Sequence, residues 1–408
     1  MLYSVYEFQK QALSQFSTLA TAGTSFLLHP LNPFAYTEAG TAAAHALDVF
    51  AHASAHYGKP EFGFTHTVID GRQVPIEEEV VLRKPFGQLK RFVRLGREDG
   101  LDPKLLIVAP MSGHYATLLR GTVEQMLPDH DVYITDWRDA KMVPVAQGFF
   151  DLDDYIDYII EFFETIGPGA HAIAVCQPSV PAYAAVSFMS ADDHPCAPRT
   201  LTMMGGPIDT REAPTTVNTL AERRPLAWFE HNAIATVPVI YPGAFRRVYP
   251  GFMQLAGFMS MNLGNHMMSH WNMYKHLVQG DGESAEASKE FYEEYRAVCD
   301  MTAEFYLQTV ETVFQRHALP KGEMMHRHRP VDPGKIRKTA LLAVEGERDD
   351  ISGLGQTRAA LTLARKLPAD MKKYYMAEQV GHYGIFNGRR WREMISPVVK
   401  QWIASHHG

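Results

Sequence analysis

Positions 171–179 read His171-Ala-Ile-Ala-Val-Cys176-Gln-Pro-Ser179, and this stretch decides how the chain folds. The apolar run before the cysteine is typical of a short strand that is covered on both faces of a sheet. Pro178 and Pro181 suit the first turn of a helix, where the missing proline N–H costs little. Cys176 is therefore predicted to lie on a sharp turn from strand to helix, where a catalytic nucleophile can stand. The alternative is a buried structural thiol, the usual role of a free cysteine.

Further apolar runs of strand length alternate with helical patterns along most of the chain. The clearest helix is Asp151–Ile166, in which apolar residues recur on one face. The segments Ile76–Leu82 and Leu89–Arg94 flank Pro85-Phe86-Gly87 and predict a hairpin. We expect further strands at 105–109, 131–136, 172–175, 201–204, 339–344 and 373–376, and further helices at 357–367 and 391–405. This alternation predicts an α/β fold with a mostly parallel sheet flanked by helices.

The alternation breaks off near Pro207 and resumes at Thr339. The residues between are rich in helix-like stretches, methionine and aromatic side chains. They predict a helical lid over the carboxyl ends of the strands, where ligands bind in open α/β sheets. The expected segments are an N-terminal helical arm at 1–75, core at 76–208, the lid insertion at 209–330 and core again at 331–408. Within the arm, apolar residues at helical spacing predict a helix, namely Phe8, Ala12, Phe16 and Leu19. We expect the arm to pack on the main domain or to mediate self-association as a homodimer.

Two later segments supply partners for the cysteine. The first contains Asp349 and Asp350, and the second contains His382 between Gly381 and Gly384. The order nucleophile, acid, histidine is the chain order of catalytic triads on α/β-hydrolase sheets. A thiol needs an imidazole to ionise it, and the imidazole needs a carboxylate to orient it. We favour Asp349 over Asp350 as that carboxylate because it has the usual spacing in this fold.

The oxyanion of an acyl-transfer reaction needs two N–H donors. The first is expected at Gln177, the residue after the nucleophile, and the second at Met111 or Ser112 in the loop after the strand at 105–109. One local pattern departs from the usual one. A nucleophile turn is normally flanked by glycines, whereas this chain has Ala174 and Pro178 at the two flanking positions.

Composition excludes several classes of function. The net charge of −7 provides no basic surface for nucleic acid. The three cysteines lie far apart, which favours free thiols in a reducing compartment. The beginning of the chain does not resemble a signal peptide and no apolar run has transmembrane length, so a cytoplasmic protein is expected. His326 and His328 lack accompanying ligands at metal-binding spacing, and neither a metal nor a bound cofactor is predicted.

The motifs together resemble those of the intracellular poly(3-hydroxybutyrate) (PHB) depolymerases. The most specific is Val175-Cys-Gln-Pro178. Similar stretches occur over nearly the whole chain, at 1–7, 109–115, 131–137, 345–353 and 381–384. The resemblance implies cleavage of amorphous storage polyester at the granule surface, with Cys176 as nucleophile, His382 as base and Asp349 as orienting acid. Polyhydroxyalkanoate synthases are related and also use Cys, Asp and His, but they keep glycines around the cysteine.

These observations predict a cysteine hydrolase of a polyester that works through a thioester. Water is the expected acceptor of the acyl group, and the thiol of coenzyme A could take its place. The first alternative is a synthase-like acyltransferase that extends the polymer. The second is a non-catalytic granule-binding protein on a hydrolase scaffold, a role that the Met- and aromatic-rich insertion would suit.

Overall fold

The computed structural model of the chain describes residues 2–55, 58–98, 100–261, 274–275, 277–278, 289 and 293–408. The strands are β1 His66–Ile69, β2 Arg72–Arg83, β3 Gly87–Arg94, β4 Lys104–Val108, β5 Asp131–Trp137, β6 His171–Val175, β7 Thr200–Met204, β8 Ala235–Thr236, β9 Arg247–Tyr249, β10 Met301–Thr302, β11 Met325–His326, β12 Arg329–Pro330, β13 Ala340–Gly346 and β14 Lys372–Ala377. The helices are α1 Leu2–Leu27, α2 Glu38–Ser54, α3 Arg120–Met126, α4 Leu152–Ile166, α5 Ser179–Ala191, α6 Thr216–Arg223, α7 Leu226–Ala233, α8 Gly251–Met261, α9 Ala303–Thr309, α10 Ala318–Lys321, α11 Ala359–Leu363, α12 Gly388–Arg390 and α13 Ser396–Ser405. Two segments have π-helical hydrogen bonding, Val310–Gln315 and Trp391–Ile395.

The described strands build one large sheet of nine strands in the order β1-β2-β3-β5-β4-β6-β7-β13-β14. The first pairs, from β1 to β5, are antiparallel. All pairs from β5 to β14 are parallel. The expected α/β-hydrolase fold, a mostly parallel sheet flanked by helices, is therefore confirmed.

The central strands are buried along their whole length, as their continuous apolar runs predict. Every residue of β6, β7 and β13 is buried. Helix α4 shows why the sequence forms these elements locally. The Asp151 carboxylate accepts from the Asp154 N–H, the Asp154 carboxylate accepts from the Asp151 N–H, and Gly167 ends the helix with φ of 84°. This capping box satisfies N–H groups that a helix start leaves without partners.

The sequence misplaces the ends of some elements. The helix expected at 357–367 spans only Ala359–Leu363, and the one expected at 391–405 begins with the π-helical turn Trp391–Ile395 before α13. The segment at 209–330, expected to be helical, also contains short strands. Three of them, β8, β9 and β10, form a second small sheet. In this segment Met267, Met268 and Met273 lie outside the described residues.

Residues 1–75 contain α1 and α2 and, at their end, β1 and the first residues of β2. The division of the chain into four segments stays a prediction. What the sheet order does decide is that the carboxyl ends of β6, β7, β13 and β14 are neighbours. The loops after these strands carry the predicted chemistry.

Candidate active site

Cys176 follows β6 directly and has the backbone conformation of a strained turn. Its φ is +66°, a value that costs a side-chain-bearing residue about 1–2 kcal/mol relative to the right-handed region. The turn is held by backbone hydrogen bonds. The Cys176 N–H donates to Met204 O at 2.7 Å, and the Ser179 N–H donates to Cys176 O at 3.0 Å. The sulfur is thus carried on a fixed turn between a buried strand and α5, as the sequence predicts.

Two glycines at the end of β7 make room for this turn. A Cβ on Gly206 would lie 2.1 Å from Ser179 Oγ and 3.1 Å from Cys176 O. Gly205 has φ of +59°, and a Cβ there would lie 3.2 Å from both Asp349 Oδ2 and His382 Cε1. The usual glycines beside the nucleophile are replaced by Ala174 and Pro178, and the close approach is instead permitted from the neighbouring strand.

Asp349 and His382 meet at the carboxyl ends of β13 and β14. Asp349 Oδ2 lies 2.8 Å from His382 Nδ1. The other carboxylate oxygen accepts from the N–H groups of Ile351 and Ser352 at 2.9 and 2.8 Å. The two side chains are 0% and 5% exposed, so the pair is screened from water. The structure places Asp349, rather than Asp350, against the imidazole.

The charge state of His382 follows from its neighbours. Burial alone would lower the pKa of this imidazole, but the Asp349 carboxylate and the Cys176 side chain, which both hydrogen-bond to it, outweigh burial and raise the pKa well above its usual value. A histidine in such surroundings holds its proton at neutral pH. The arrangement favours a protonated imidazole between the Asp349 carboxylate and the Cys176 side chain.

The loop after β4 holds the two residues expected to supply the second oxyanion donor. Met111 is buried and Ser112 is partly exposed. The next residue, Gly113, has φ of +95°, and its carbonyl accepts from the Cys299 N–H at 2.8 Å. His114 forms a β-bridge with Val298. Segment 297–300, within the predicted insertion, therefore fixes the loop in which those donors are expected.

Gln177 contributes more than a backbone position. It lies directly before Pro178, the N-cap of α5, and directly after the predicted nucleophile. Its side-chain carboxamide is buried, and within the described part of the chain neither its oxygen nor its nitrogen has a hydrogen-bond partner. A buried carboxamide without partners costs free energy unless a ligand supplies them. This feature was not predicted from the sequence.

Two tyrosines also adjoin the site and were missed. Tyr383 directly follows His382, and Tyr295 lies within the predicted insertion at 209–330. Their ring centroids are 5.5 Å apart. Burial, then the electrostatic interaction and hydrogen bond with Tyr295, raise the pKa of Tyr383 well above its usual value, and the electrostatic interaction with Cys176 adds to the rise. No sequence motif signals Tyr295, whereas Gly205 and Gly206 could have been found as a glycine pair that ends the strand after the nucleophile.

The structure thus brings Cys176, His382 and Asp349 together. All three cysteines, including Cys176 of the site, are free thiols. The described residues contain no group of three or more potential metal ligands. In that same part of the chain, no helix combines the length and apolar character needed to cross a membrane.

Comparison with known proteins places the C-terminal half in a family. Residues 205–407 match the family model described as PHB de-polymerase C-terminus. This region begins at Gly205 and contains Asp349 and His382, while Cys176 precedes it. No curated protein sequence matches the chain.

Several solved structures are similar at low identity. A thermophilic esterase from Thermogutta terrifontis is 12% identical, with a TM-score of 0.42 over 85% of this chain and 98% of the other. The 2-hydroxy-6-oxo-6-phenylhexa-2,4-dienoate hydrolase of a Rhodococcus species is 13% identical, with a TM-score of 0.44 over 81% and 99%. The naproxen esterase of Bacillus subtilis is 13% identical, with a TM-score of 0.42 over 81% and 92%. The strand order described above, not these scores, identifies the fold.

Proposed function

Since the chain belongs to the PHB depolymerase family of the α/β-hydrolase superfamily and is a carboxylic ester hydrolase, we propose that it cleaves the ester bonds of poly(3-hydroxybutyrate) through a thioester on Cys176. The observation that carries this proposal is the hydrogen-bonded series from Asp349 through His382 to Cys176. The series supplies a base, an orienting carboxylate and a nucleophile in the arrangement of a catalytic triad.

The first half-reaction forms the thioester. The Cys176 thiolate attacks the ester carbonyl carbon, and negative charge develops on the carbonyl oxygen. The Gln177 N–H and an N–H of Met111 or Ser112 stabilise this oxyanion. The carbon–oxygen bond then breaks, and the proton held by His382 passes to the leaving alkoxide. One polymer segment departs as an alcohol, and the other stays bound to sulfur.

The second half-reaction releases the acyl group. His382, now neutral, takes a proton from water, and the hydroxide formed attacks the thioester carbonyl. The carbon–sulfur bond breaks, the thiolate is restored beside a protonated imidazole, and a free carboxylic acid departs. With the thiol of coenzyme A in place of water, the same steps give an acyl thioester of that cofactor.

The unpartnered carboxamide of Gln177 supports a polar substrate group in the site. Its nitrogen can donate to an ester carbonyl, and its oxygen can accept from a terminal hydroxyl group. We propose that the protein acts in the cytoplasm, associated with storage granules, since the three cysteines are free and the polymer is insoluble. A polymerising acyltransferase and a non-catalytic granule-binding protein are the alternatives.

Incubation with amorphous PHB granules, with and without coenzyme A, tests the proposal. We expect release of hydroxybutyrate or its short oligomers, or of the corresponding acyl-CoA. The variant Cys176→Ala should lower this turnover by about 10³-fold or more. The matched control Cys196→Ala changes another partly exposed free thiol and should leave turnover unchanged.

Three outcomes would overturn the proposal. Turnover that survives Cys176→Ala would remove the thiol from the mechanism. Net growth of polymer from hydroxyacyl-CoA would identify the acyltransferase alternative. Binding to granules without release of acid or acyl-CoA would identify the non-catalytic alternative.

A further inference from the structure

One face of α1 carries a row of apolar side chains that the described part of the chain leaves exposed. Phe8, Leu19 and Phe26 are 74%, 67% and 69% exposed, and Val5 and Phe16 are exposed as well. At 3.6 residues per turn these five positions fall on one side of the helix. We call these five residues the α1 stripe. Scattered exposed apolar residues are ordinary, but a contiguous row marks an interaction surface.

The arm is held to the rest of the protein by a different face of α1. The Tyr3 hydroxyl donates to Asp300 Oδ2 at 2.6 Å, which anchors the first turn of the helix beside the beginning of α8. Further along, the Ser17 hydroxyl donates to Ala51 O at 2.9 Å and joins α1 to α2. The arm therefore packs on the main domain through Tyr3, one of the two alternatives expected from the sequence, while Phe8, Phe16 and Leu19 stay exposed. The α1 stripe is available to a partner without any rearrangement of the arm.

The apolar surface continues around the turn between α1 and α2. This turn carries four exposed apolar or aromatic side chains, which we call the hairpin tip: Leu28, Leu31, Phe34 and Tyr36. Leu31 is 86% exposed. A two-helix seam would cover a narrow row along one helix. An apolar surface that extends from a helix over its terminal turn fits a broad, flat partner better.

Charge decides which broad partner fits. Residues 11–37 contain no Asp, Glu, Lys or Arg. Helices that bind anionic lipid surfaces carry Lys and Arg, and paired helices usually carry charges beside their apolar seam. The polar residues of α1 after Lys10 are instead Gln, Ser and Thr. A polyester is neutral and offers methyl groups and ester carbonyl acceptors, which match apolar side chains and neutral hydrogen-bond donors.

We propose that the α1 stripe and the hairpin tip form the surface by which this protein adsorbs to solid, neutral polyester. The proposal rests on the proposed function for the nature of the polymer. Burial of the stripe against the polymer removes apolar surface from water. The Gln side chains of α1 can donate to ester carbonyls, whereas the Ser17, Thr18, Thr21 and Thr24 hydroxyls already donate to backbone carbonyls of the arm. Because α1 is anchored at Asp300, adsorption holds the catalytic domain at the polymer surface between cleavage events.

The test compares binding to solid polymer with turnover of a soluble substrate. The full-length variant Phe8→Gln/Phe16→Gln/Leu19→Gln and the wild type are sedimented with protein-free amorphous PHB granules, and both are assayed on a soluble hydroxybutyrate oligomer. Each lost apolar contact should weaken binding by about tenfold, so the triple variant should bind at least about 100-fold more weakly. Turnover of the oligomer should not change, because the stripe lies outside the catalytic site.

A matched control replaces an exposed leucine that lies before the amino end of a central strand. Leu101 is 58% exposed and precedes β4, far from the carboxyl ends of the strands. The variant Leu101→Gln should bind granules as the wild type does. Cys176→Ala should also bind as the wild type does. If Cys176→Ala kept its turnover, the proposed catalytic role of Cys176 would be wrong, and the proposed adsorption surface would not be affected.

Three results would contradict the proposal that the α1 stripe adsorbs to polyester. Unchanged granule binding by the triple variant would exclude the stripe. If the triple variant turned a dimer into a monomer in sedimentation velocity while granule binding stayed the same, the stripe would be a contact between copies of the chain. Binding to phosphatidylglycerol vesicles as tight as to granules would replace the neutral polymer with a lipid surface.

Discussion

Replacement of Asp349 by asparagine tests the role of this carboxylate without removing the loop that carries it. Asparagine keeps an oxygen that can accept from the Ile351 and Ser352 N–H groups, so the loop should hold its conformation. What disappears is the negative charge 2.8 Å from His382 Nδ1. An amide nitrogen at this place can also donate to Nδ1 and stabilise the wrong imidazole tautomer.

The expected loss of activity follows from Coulomb's law. Two unit charges about 4 Å apart interact by about 4 kcal/mol at an effective dielectric constant of about 20. At 1.36 kcal/mol per factor of ten, loss of this attraction lowers the rate by about 10³-fold. Loss of the Asp349 carboxylate removes the largest of the interactions that raise the pKa of His382, so this pKa falls. The imidazole then no longer holds the proton that the leaving alkoxide needs.

The assay is kcat/KM on a soluble hydroxybutyrate oligomer as a function of pH, because a soluble substrate separates chemistry from adsorption. Asp350→Asn is the matched control, since it removes the same charge from the adjacent residue. We expect that control to stay within about threefold of the wild type. Retention of more than about a tenth of wild-type kcat/KM by Asp349→Asn, or an equal loss in Asp350→Asn, would refute the assignment.

Two further predictions concern a glycine of the site and a histidine outside it. Gly205→Ala should lower kcat by about tenfold or more, because Gly205 has a φ of +59° and the new Cβ would press on His382. Circular dichroism would verify that the variant remains folded. His326 is paired with Asp153 and Asp157 at 3.1 and 2.9 Å; burial lowers its pKa, but these carboxylates prevail and raise it to about 9. Protonated His326 therefore stabilises the fold, fully below pH 6.5 and progressively less as the pH rises to about 9. The variant His326→Asn should lower the free energy of unfolding by up to about 3 kcal/mol at pH 6 and by little at pH 9.5.

Each of these variants has a control with the same chemistry. Gly71→Ala introduces a side chain at a similar φ of +75° where nothing lies within 4 Å, so it should share the backbone strain and leave kcat intact. His328 is exposed, and His328→Asn should change the unfolding free energy little at either pH. Equal kinetics for the two alanine variants, or a stability difference for His326→Asn that does not shrink with rising pH, would contradict the reasoning.

Much of the fold was accessible from local patterns. The alternation of apolar runs and helical periods predicted the parallel sheet, and the apolar face of 151–166 predicted α4 to within one residue of its start. Segment ends were less accessible. The π-helical turn at Trp391–Ile395 and the shortened α11 depend on packing against neighbours, which intrinsic propensity does not contain.

The sequence by itself determined the chain order of nucleophile, acid and histidine, the strand-to-helix turn at Cys176 and the apolar period of α1. These features depend on contacts between residues close in sequence. Only the tertiary structure decided that Asp349 rather than Asp350 meets His382, that Gly205 and Gly206 open the space beside the cysteine, and that the apolar face of α1 points to solvent. The physical reason is that these outcomes depend on which strands become neighbours and which helix face is already occupied, and both are properties of the assembled fold.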